Sequence, residues 1–570
     1  MSGLGRNAAA AIALARRRLR AAGDGLAARR AAAFARPSPL SRPVEPLTPG
    51  DAEAAARVAG GAARFAGRAA RIGAQGPWAA QPPSEAWRDA MHGFQWLDDA
   101  AAAERPVAAV FAGWLSDWMR RYGGGSGGVW RPDLAGRRLA RLAAAPAVIA
   151  RLAPRDLRRL ARVVGVHHAF LDARWRKART PLGRLEAATG LALGALAAQA
   201  SRRATTRAAQ AVGEAAAALI AADGGVASRK PDDLAQAFDL LAWTAHAFAE
   251  AGVEADPRHE AALGRAGPAL RTLRLGDGGL ARFHGGGGAD MALDQALALA
   301  GSAARGPARE AAMGYHRLAA GGTVVLMDAA APPRDAPEAG ASALAFEIAA
   351  GRRRLIGSVG PGRLAGGEWA VAARATAAHS GVEIAGVSLA RIAPGGYAAR
   401  AFGRPLVDGP GVVAIERAAD LDGLWALGEH DGYAARFGLI VSRRLNLSVD
   451  GATLRGEETL AAPTAEARRR FDAAADSGGV PFVVRFHVAP DVEAAPGRDP
   501  ALVILTPPSG PAWAFRASTL RPRIVESVWI DESGRPRPTR QIVVASRAEA
   551  YFGRVVWSLH RERGGGNARG

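Results

Sequence analysis

Up to about residue 300 the apolar positions of this chain repeat with a helical period. The stretches "DLAGRRLARLAAAPAVIARLA" and "PDDLAQAFDLLAWTAHAFAEAG" bring apolar side chains to one face of a 3.6-residue turn. Pro231 with Asp232 and Asp233 marks a helix start, and Gly252 marks a stop. Such patterns alternate with short Gly/Pro breaks from about residue 50 to 280, which predicts an array of paired antiparallel helices. "YGGGSGGVWRP" at 122–132 reads as a loop within it. The glycine-rich segment 283–310, "FHGGGGADMALDQALALAGSAARGPARE", is the predicted junction and is expected to lack regular structure. Beyond it come short β-branched or alternating runs: "GGTVVLMDA", "GLIVSRRLNLSVDG", "PFVVRFHVAP", "ALVILTP", "RIVESVWID", "GRVVWSLHRE". In "PFVVRFHV", Phe482, Val484, Phe486 and Val488 share one strand face, and Val483, Arg485 and His487 the other. The prediction is a multidomain α+β chain with three parts. Residues 1–50 form a basic N-terminal segment, 51–300 a helical domain and 310–562 a large antiparallel β-sandwich.

Composition adjusts this picture in two ways. Hydrophobic residues make up 49% of the 570, enough for more than one core, although much of that fraction is alanine. There is no cysteine, which excludes disulfides and thiolate metal sites. The formal charge is +21 and is carried by arginine; Lys177 and Lys230 are the only lysines. Such a surface attracts polyanions, whether acidic polysaccharide, anionic lipid or nucleic acid. No nucleic-acid motif or stacked-aromatic basic stripe accompanies the charge, so no specific nucleic-acid partner is expected.

The opening "MSGLGRNAAAAIALARRRLRAAG" has an apolar run too short and too weakly apolar for a secretion signal, closed by Arg16, Arg17, Arg18 and Arg20. It reads as a basic amphipathic helix able to touch a membrane surface. No other stretch is long and apolar enough to predict a membrane span.

Seven phrases, in order along residues 80–560, resemble the heparinase II/III family and in particular its bacterial branch. They are "MHGFQWLDD", "WRPDLAGRRL", "GLARFHGGGGAD", "GYHRLAAGGTVVLMDAAAPP", "LAFEIAAGRRRLIGSVG", "ARATAAHSGVEI" and "HDGYAARFGLIVSRRLNLSVDGATLRGEETL". The resemblance implies an incomplete α/α toroid followed by a β-sandwich, in agreement with the change of period. It also implies β-elimination on uronic-acid polysaccharides, in a cell-envelope or periplasmic setting; without a convincing signal peptide, a cytoplasmic setting stays open. Elimination needs a base at the proton α to the uronate carboxylate, a positive or hydrogen-bonding group on that carboxylate, and an acid for the leaving oxygen.

Family lyases take an Asn or His and a Tyr from the toroid and a His from the sandwich, and some hold a structural zinc there. Here the five tyrosines are Tyr122, Tyr315, Tyr397, Tyr433 and Tyr551, so none falls between 123 and 314. In "DGGVASRKPDD", Asp232 stands at the tyrosine's place. In "GASALAFE", Gly340 stands at the histidine's place, and the aspartate expected soon after is absent from "LIGSVGPG". His379 of "AAHS" is retained. One histidine cannot hold zinc, which needs three or four ligands, so no metal and no cofactor is expected.

The catalytic candidates are therefore His379, Tyr315, His430 and Tyr433. For His379 the alternative is a buried imidazole bonded to neighbouring strands. For His430, Asp431 and Tyr433 it is a tight Asp-Gly turn with Tyr433 packing over it. For Tyr315 it is packing at the sandwich entry. His167 and His168 are adjacent on a helix and point about 100° apart, so they do not share a small site easily. His284 sits in the glycine-rich junction. Trp87, Trp96, Trp114, Trp118 and Trp130 are sugar platforms or, at their helical spacing, core. The reading is a heparinase II/III-like lyase of acidic polysaccharide or, as the alternative, a silent relative that binds such a polymer.

Overall fold

The computed structural model describes residues 3–73, 76–288 and 293–562. Residues 289–292 of the predicted junction lie outside the described residues. Two compact units emerge. The first comprises Met1–Val226, Asp233–Pro268 and Met291–Gly306; the second comprises Ala227–Asp232, Ala269–Asp290 and Pro307–Gly570.

The first unit is helical. Its main helices are Gly3–Phe34, Arg105–Tyr122, Pro132–Ala143, Pro154–Arg174, Pro181–Ala197, Arg202–Leu219, Pro231–Ala251 and Pro257–Leu273. Proline stands at the first or second helical position of six of these, where a missing N–H costs nothing. Neighbours pack tightly where glycine removes a side chain. A Cβ on Gly136 would lie 2.3 Å from the Glu186 carbonyl oxygen, and one on Gly190 would lie 2.1 Å from that of Gly136. The Pro132–Ala143 and Pro181–Ala197 helices thus meet backbone to backbone. Trp87, Trp96, Trp114, Trp118 and Trp130 are all buried, so they are core.

Two segments depart from the sequence reading. Residues Ala62–Phe65 and Arg68–Arg71 form an antiparallel hairpin inside the part expected to be helical. Its turn places Ala66 and Gly67 at φ 48° and 72°. A hairpin turn of this hand is normally announced by Asn-Gly or Asp-Gly, and Ala-Gly hides it. The junction also contains a helix, Leu293–Ala300, which buries Leu293, Ala296 and Ala300 at helical spacing. The glycines that precede it follow the expectation: Gly286, Gly287 and Gly288 are not helical.

The second unit is the antiparallel sandwich. One sheet orders eight strands as Glu493–Pro496, Leu502–Thr506, Trp513–Ala517, Phe552–Arg561, Thr453–Ala461, Leu439–Ser448, Gly423–Tyr433 and Val413–Ala419. The other has nine: Arg523–Ile530, Pro536–Ala548, Val480–Val488, Arg353–Gly357, Phe346–Ala350, Thr323–Asp328, Tyr315–Ala320 and Ala311–Ala312 in order, with Val382–Ile384 also pairing Val480–Val488. Phe482, Val484, Phe486 and Val488 are all buried, as their alternation predicts. Phe486 meets Trp557 of the opposite sheet with ring centroids 4.9 Å apart, and Phe346 stacks on Trp557 at 5.4 Å. Gly456 admits that indole, since a Cβ there would lie 2.1 Å from it. No helix among the described residues is long and apolar enough to cross a membrane.

Candidate functional site

The second unit gathers a buried polar cluster around Asp328, the last residue of the strand Thr323–Asp328. The strand is buried along its whole length, so its terminal carboxylate must find partners inside the protein. Ser342 Oγ donates to Asp328 Oδ2 at 2.6 Å, and Arg229 Nη2 donates to Oδ1. His284 Nε2 lies 3.2 Å from Oδ2, within ion-pair reach although not aligned as a full hydrogen bond. The Gly340 N–H donates to His284 Nδ1 at 3.1 Å, which leaves the ring proton on Nε2, facing the carboxylate. Burial alone would raise the Asp328 carboxyl. Arg229 and His284 outweigh it and hold the group well below the ordinary carboxylate value.

Arg229 is saturated. Its Nε donates to the Met313 carbonyl at 2.8 Å, its Nη1 to Ala330 and Ala331 at 3.0 Å each, and its Nη2 also to Gly314 at 3.1 Å. Tyr315 lies under this guanidinium, 4.9 Å from ring to Cζ. The Tyr315 hydroxyl donates to the Arg229 carbonyl at 2.6 Å, and its ring stacks on Phe283 at 5.6 Å. Burial pushes the phenol well above its ordinary value.

His379 also neighbours Phe283, ring centroids 6.2 Å apart. It is buried, and neither ring nitrogen has a hydrogen-bond partner among the described residues. Burial, with the charges of His284 and His487 adding to it, lowers its pKa to about 3. A Cβ on Gly340 would lie 2.8 Å from His379 Nε2. Gly340 is thus hydrogen-bonded to one imidazole and leaves no room for a side chain beside the other.

Tyr315 and His379 are therefore brought near each other, both beside the ring of Phe283. His430 and Tyr433 form a separate pair, ring centroids 6.0 Å apart. The "HDGY" phrase is not a tight hairpin turn. It lies at the end of the strand Gly423–Tyr433, where the pairing register with Leu439–Ser448 shifts in a bulge. Asp431 Oδ1 accepts from the Gly411 and Val412 N–H groups at 2.8 and 3.1 Å rather than orienting an imidazole. His430 Nδ1 accepts from the Gly432 N–H at 3.2 Å. The Tyr433 hydroxyl lies 3.2 and 3.0 Å from the carbonyls of Val382 and Val387. Burial lowers the pKa of His430 to about 4 and raises that of Tyr433.

Asp232 accepts the Gly287 and Gly288 N–H groups at 2.9 and 3.0 Å, so it braces the glycine turn. In that turn His284 holds a left-handed φ of 52°, an unusual conformation for a side-chain-bearing residue. His284, Arg229, Asp328 and Ser342 are the members of the cluster that sequence patterns do not single out. The only cue was that His284 sat among glycines. Elsewhere, His167 lies in the core of the first unit, accepting from Arg138 Nε at 3.1 Å. His168 Nδ1 lies 3.3 Å from Ser38 Oγ.

The zinc that some family members hold does not fit these residues. Gly340 supplies no ligating side chain, and a Cβ there would lie 2.8 Å from His379 Nε2. Among the described residues no group of three or more His, Asp or Glu side chains is arranged to hold a metal ion.

Residues 303–558 match the model of the heparinase II/III-like C-terminal domain. FtsZ-localized protein C of Caulobacter vibrioides is 32% identical over 547 residues, covering 93% of this chain and 92% of that protein. Among solved structures, a mutant of the heparan sulfate lyase HepC from Pedobacter heparinus aligns with a TM-score of 0.57 at 15% identity, over 94% of this chain and 86% of that one. A heparinase III structure aligns with a TM-score of 0.63 at 11% identity, over 86% of this chain and 80% of that one. At these identities the structural likeness speaks for the fold: a helical toroid followed by an antiparallel sandwich.

Proposed function

The chain belongs to the heparinase II/III-like family, and we propose that within it this protein binds acidic polymer without cleaving it. The observation that supports this is the burial of every proton-transfer candidate. His379, Tyr315, His430 and Tyr433 are all enclosed. A general base works best with a pKa near the working pH and within reach of the substrate proton. His379 and His430, lowered to about 3 and about 4, are poor proton carriers at neutral pH, and both phenols are shifted away from it. The arginine-rich surface can still attract uronate carboxylates.

The near full-length likeness to FtsZ-localized protein C favours a second element: this chain too is recruited to FtsZ, at the cell envelope. The peripheral membrane contact of the basic N-terminal helix belongs to the same reading. Two experiments test it. Affinity electrophoresis through a panel of acidic polysaccharides should retard the chain, with retardation lost as salt screens the charges; unretarded migration through all of them removes the polymer. Purified chain should sediment with FtsZ polymers, and a chain left wholly in the supernatant removes recruitment.

A further inference from the structure

The N-terminal helix, Gly3–Phe34, turns the wrong residues outward. It packs on the helix Pro154–Arg174 and is tied to it by Arg174, whose Nη2 lies 2.6 Å from Asp24 Oδ1. The residues it buries are small or paired: Ala10, Asp24, Ala28 and Ala31. Its large apolar residues face away: Ile12 is 55% exposed, Leu19 72%, Leu26 64% and Phe34 80%. At about 100° per residue, Ile12, Leu19 and Leu26 fall within about 40° of one another, with Ala8, Ala15 and Ala22 alongside, roughly opposite the buried alanines. Residues 15–22 are exposed all round. Single exposed aliphatics are ordinary, but an aligned row on the outer face of a helix implies an occupant.

The charges choose the occupant. The helix carries seven arginines (Arg6, Arg16, Arg17, Arg18, Arg20, Arg29 and Arg30) against one acidic residue, Asp24. On the helical wheel Arg16 and Arg20 flank one side of the row, and Arg18 and Arg29 the other. A second copy of the same helix would bring like charges together. We infer that this face lies on an anionic bilayer, with Ile12, Leu19, Leu26 and Phe34 entering the headgroup–acyl boundary while the flanking guanidiniums reach up to lipid phosphates. This deepens the peripheral contact proposed above by naming the inserting residues and the lipid charge.

The test is flotation of the full chain with phosphatidylglycerol/phosphatidylcholine vesicles and with pure phosphatidylcholine vesicles, with neither FtsZ nor polysaccharide present. The chain should float with the anionic vesicles, less so in high salt, and remain behind with the neutral ones. The combined I12S, L19S and L26S variant should bind at least about tenfold more weakly, with an unchanged circular dichroism spectrum because none of the three is buried. A second variant, R16Q with R18Q and R20Q, should lose the preference for anionic lipid. No flotation, or flotation unchanged in the serine variant, overturns the inference. So does a wild-type chain that ignores vesicles but captures an acidic helical protein through the same three residues. Because the assay reads the helix alone, its failure leaves the non-cleaving reading standing.

Discussion

Each unit buries an arginine beside a histidine and aromatic rings, and the two solutions differ. In the first unit Arg138 has no carboxylate at hydrogen-bond distance among the described residues. Its Nη1 donates to the carbonyls of His92 and Val129 at 3.0 and 3.1 Å, its Nε donates to His167, and its guanidinium lies 4.7 and 5.2 Å from the rings of Trp118 and Trp130. In the second unit Arg229 is paired with Asp328. The consequence is visible in the charge states. Burial lowers the Arg138 pKa to about 9, whereas at Arg229 burial is outweighed by Asp328 and the pKa rises. Dipoles and π faces hold a cation only partly; a carboxylate holds it fully but then depends on it in return. The cluster around Asp328 is therefore the more brittle of the two.

The comparison can be broken most severely at Asp328. Asp328→Ala leaves Arg229 buried without its counter-charge and should cost about 3–5 kcal/mol. Hydrogen exchange in peptides spanning the strands 315–350 should accelerate, while peptides of the Pro132–Ala143 helix keep their protection. Equal loss in both units would mean that they unfold as one. Arg138→Met strands no opposite charge and leaves only carbonyl and imidazole acceptors unpaired, so a smaller loss of about 2–3 kcal/mol is expected, confined to first-unit peptides.

Gly340→Ala sharpens the picture beside His379. Its methyl would press on His379 Nε2, and about 1–2 kcal/mol should be lost. Adding His379→Ala should return part of that loss, a coupling measurable as a double-mutant cycle. If the two changes are simply additive, the contact is not what selects glycine.

The smallest effect is with pH. The folded-state pKa of His379 lies below its ordinary value of 6.5. The unfolded chain therefore takes up a proton there first, so the contribution is complete above pH 6.5 and declines as pH falls toward about 3. His379→Phe should remove about 1 kcal/mol of the stability change between pH 6.5 and 5.5. An unaltered pH profile of denaturation would show that His379 titrates alike in the folded and unfolded chain.

Much of the architecture was legible, because the change from helical to alternating period is a property of long stretches. Phe482 to Val488 shows this directly. The hairpin at 62–71 was not, because Ala and Arg carry no strand signal and the turn lacks its usual Asn or Asp. The cluster was less legible still. Its members, Arg229, His284, Asp328, Gly340, Ser342 and His379, come from separate segments, and no local spacing connects them. Resemblance led to Gly340 and His379 but suggested a gap left by a lost ligand. In the structure Gly340 donates to His284 and leaves no room for a side chain against His379. Asp232 likewise was noticed for what it replaced, while its role is to brace two glycine N–H groups.

The central claim is that the family fold is retained here while His379, Tyr315, His430 and Tyr433, the proton-transfer candidates, are all buried. It is tested most directly by following absorbance of the unsaturated uronate product when the purified chain is incubated with a panel of uronic-acid polysaccharides, beside an active family lyase. The expected result is no product above the blank for any polymer, including those that retard the chain in affinity electrophoresis. Steady product formation that disappears on His379→Ala would contradict the account, since it would require a buried, neutral imidazole to reach the sugar.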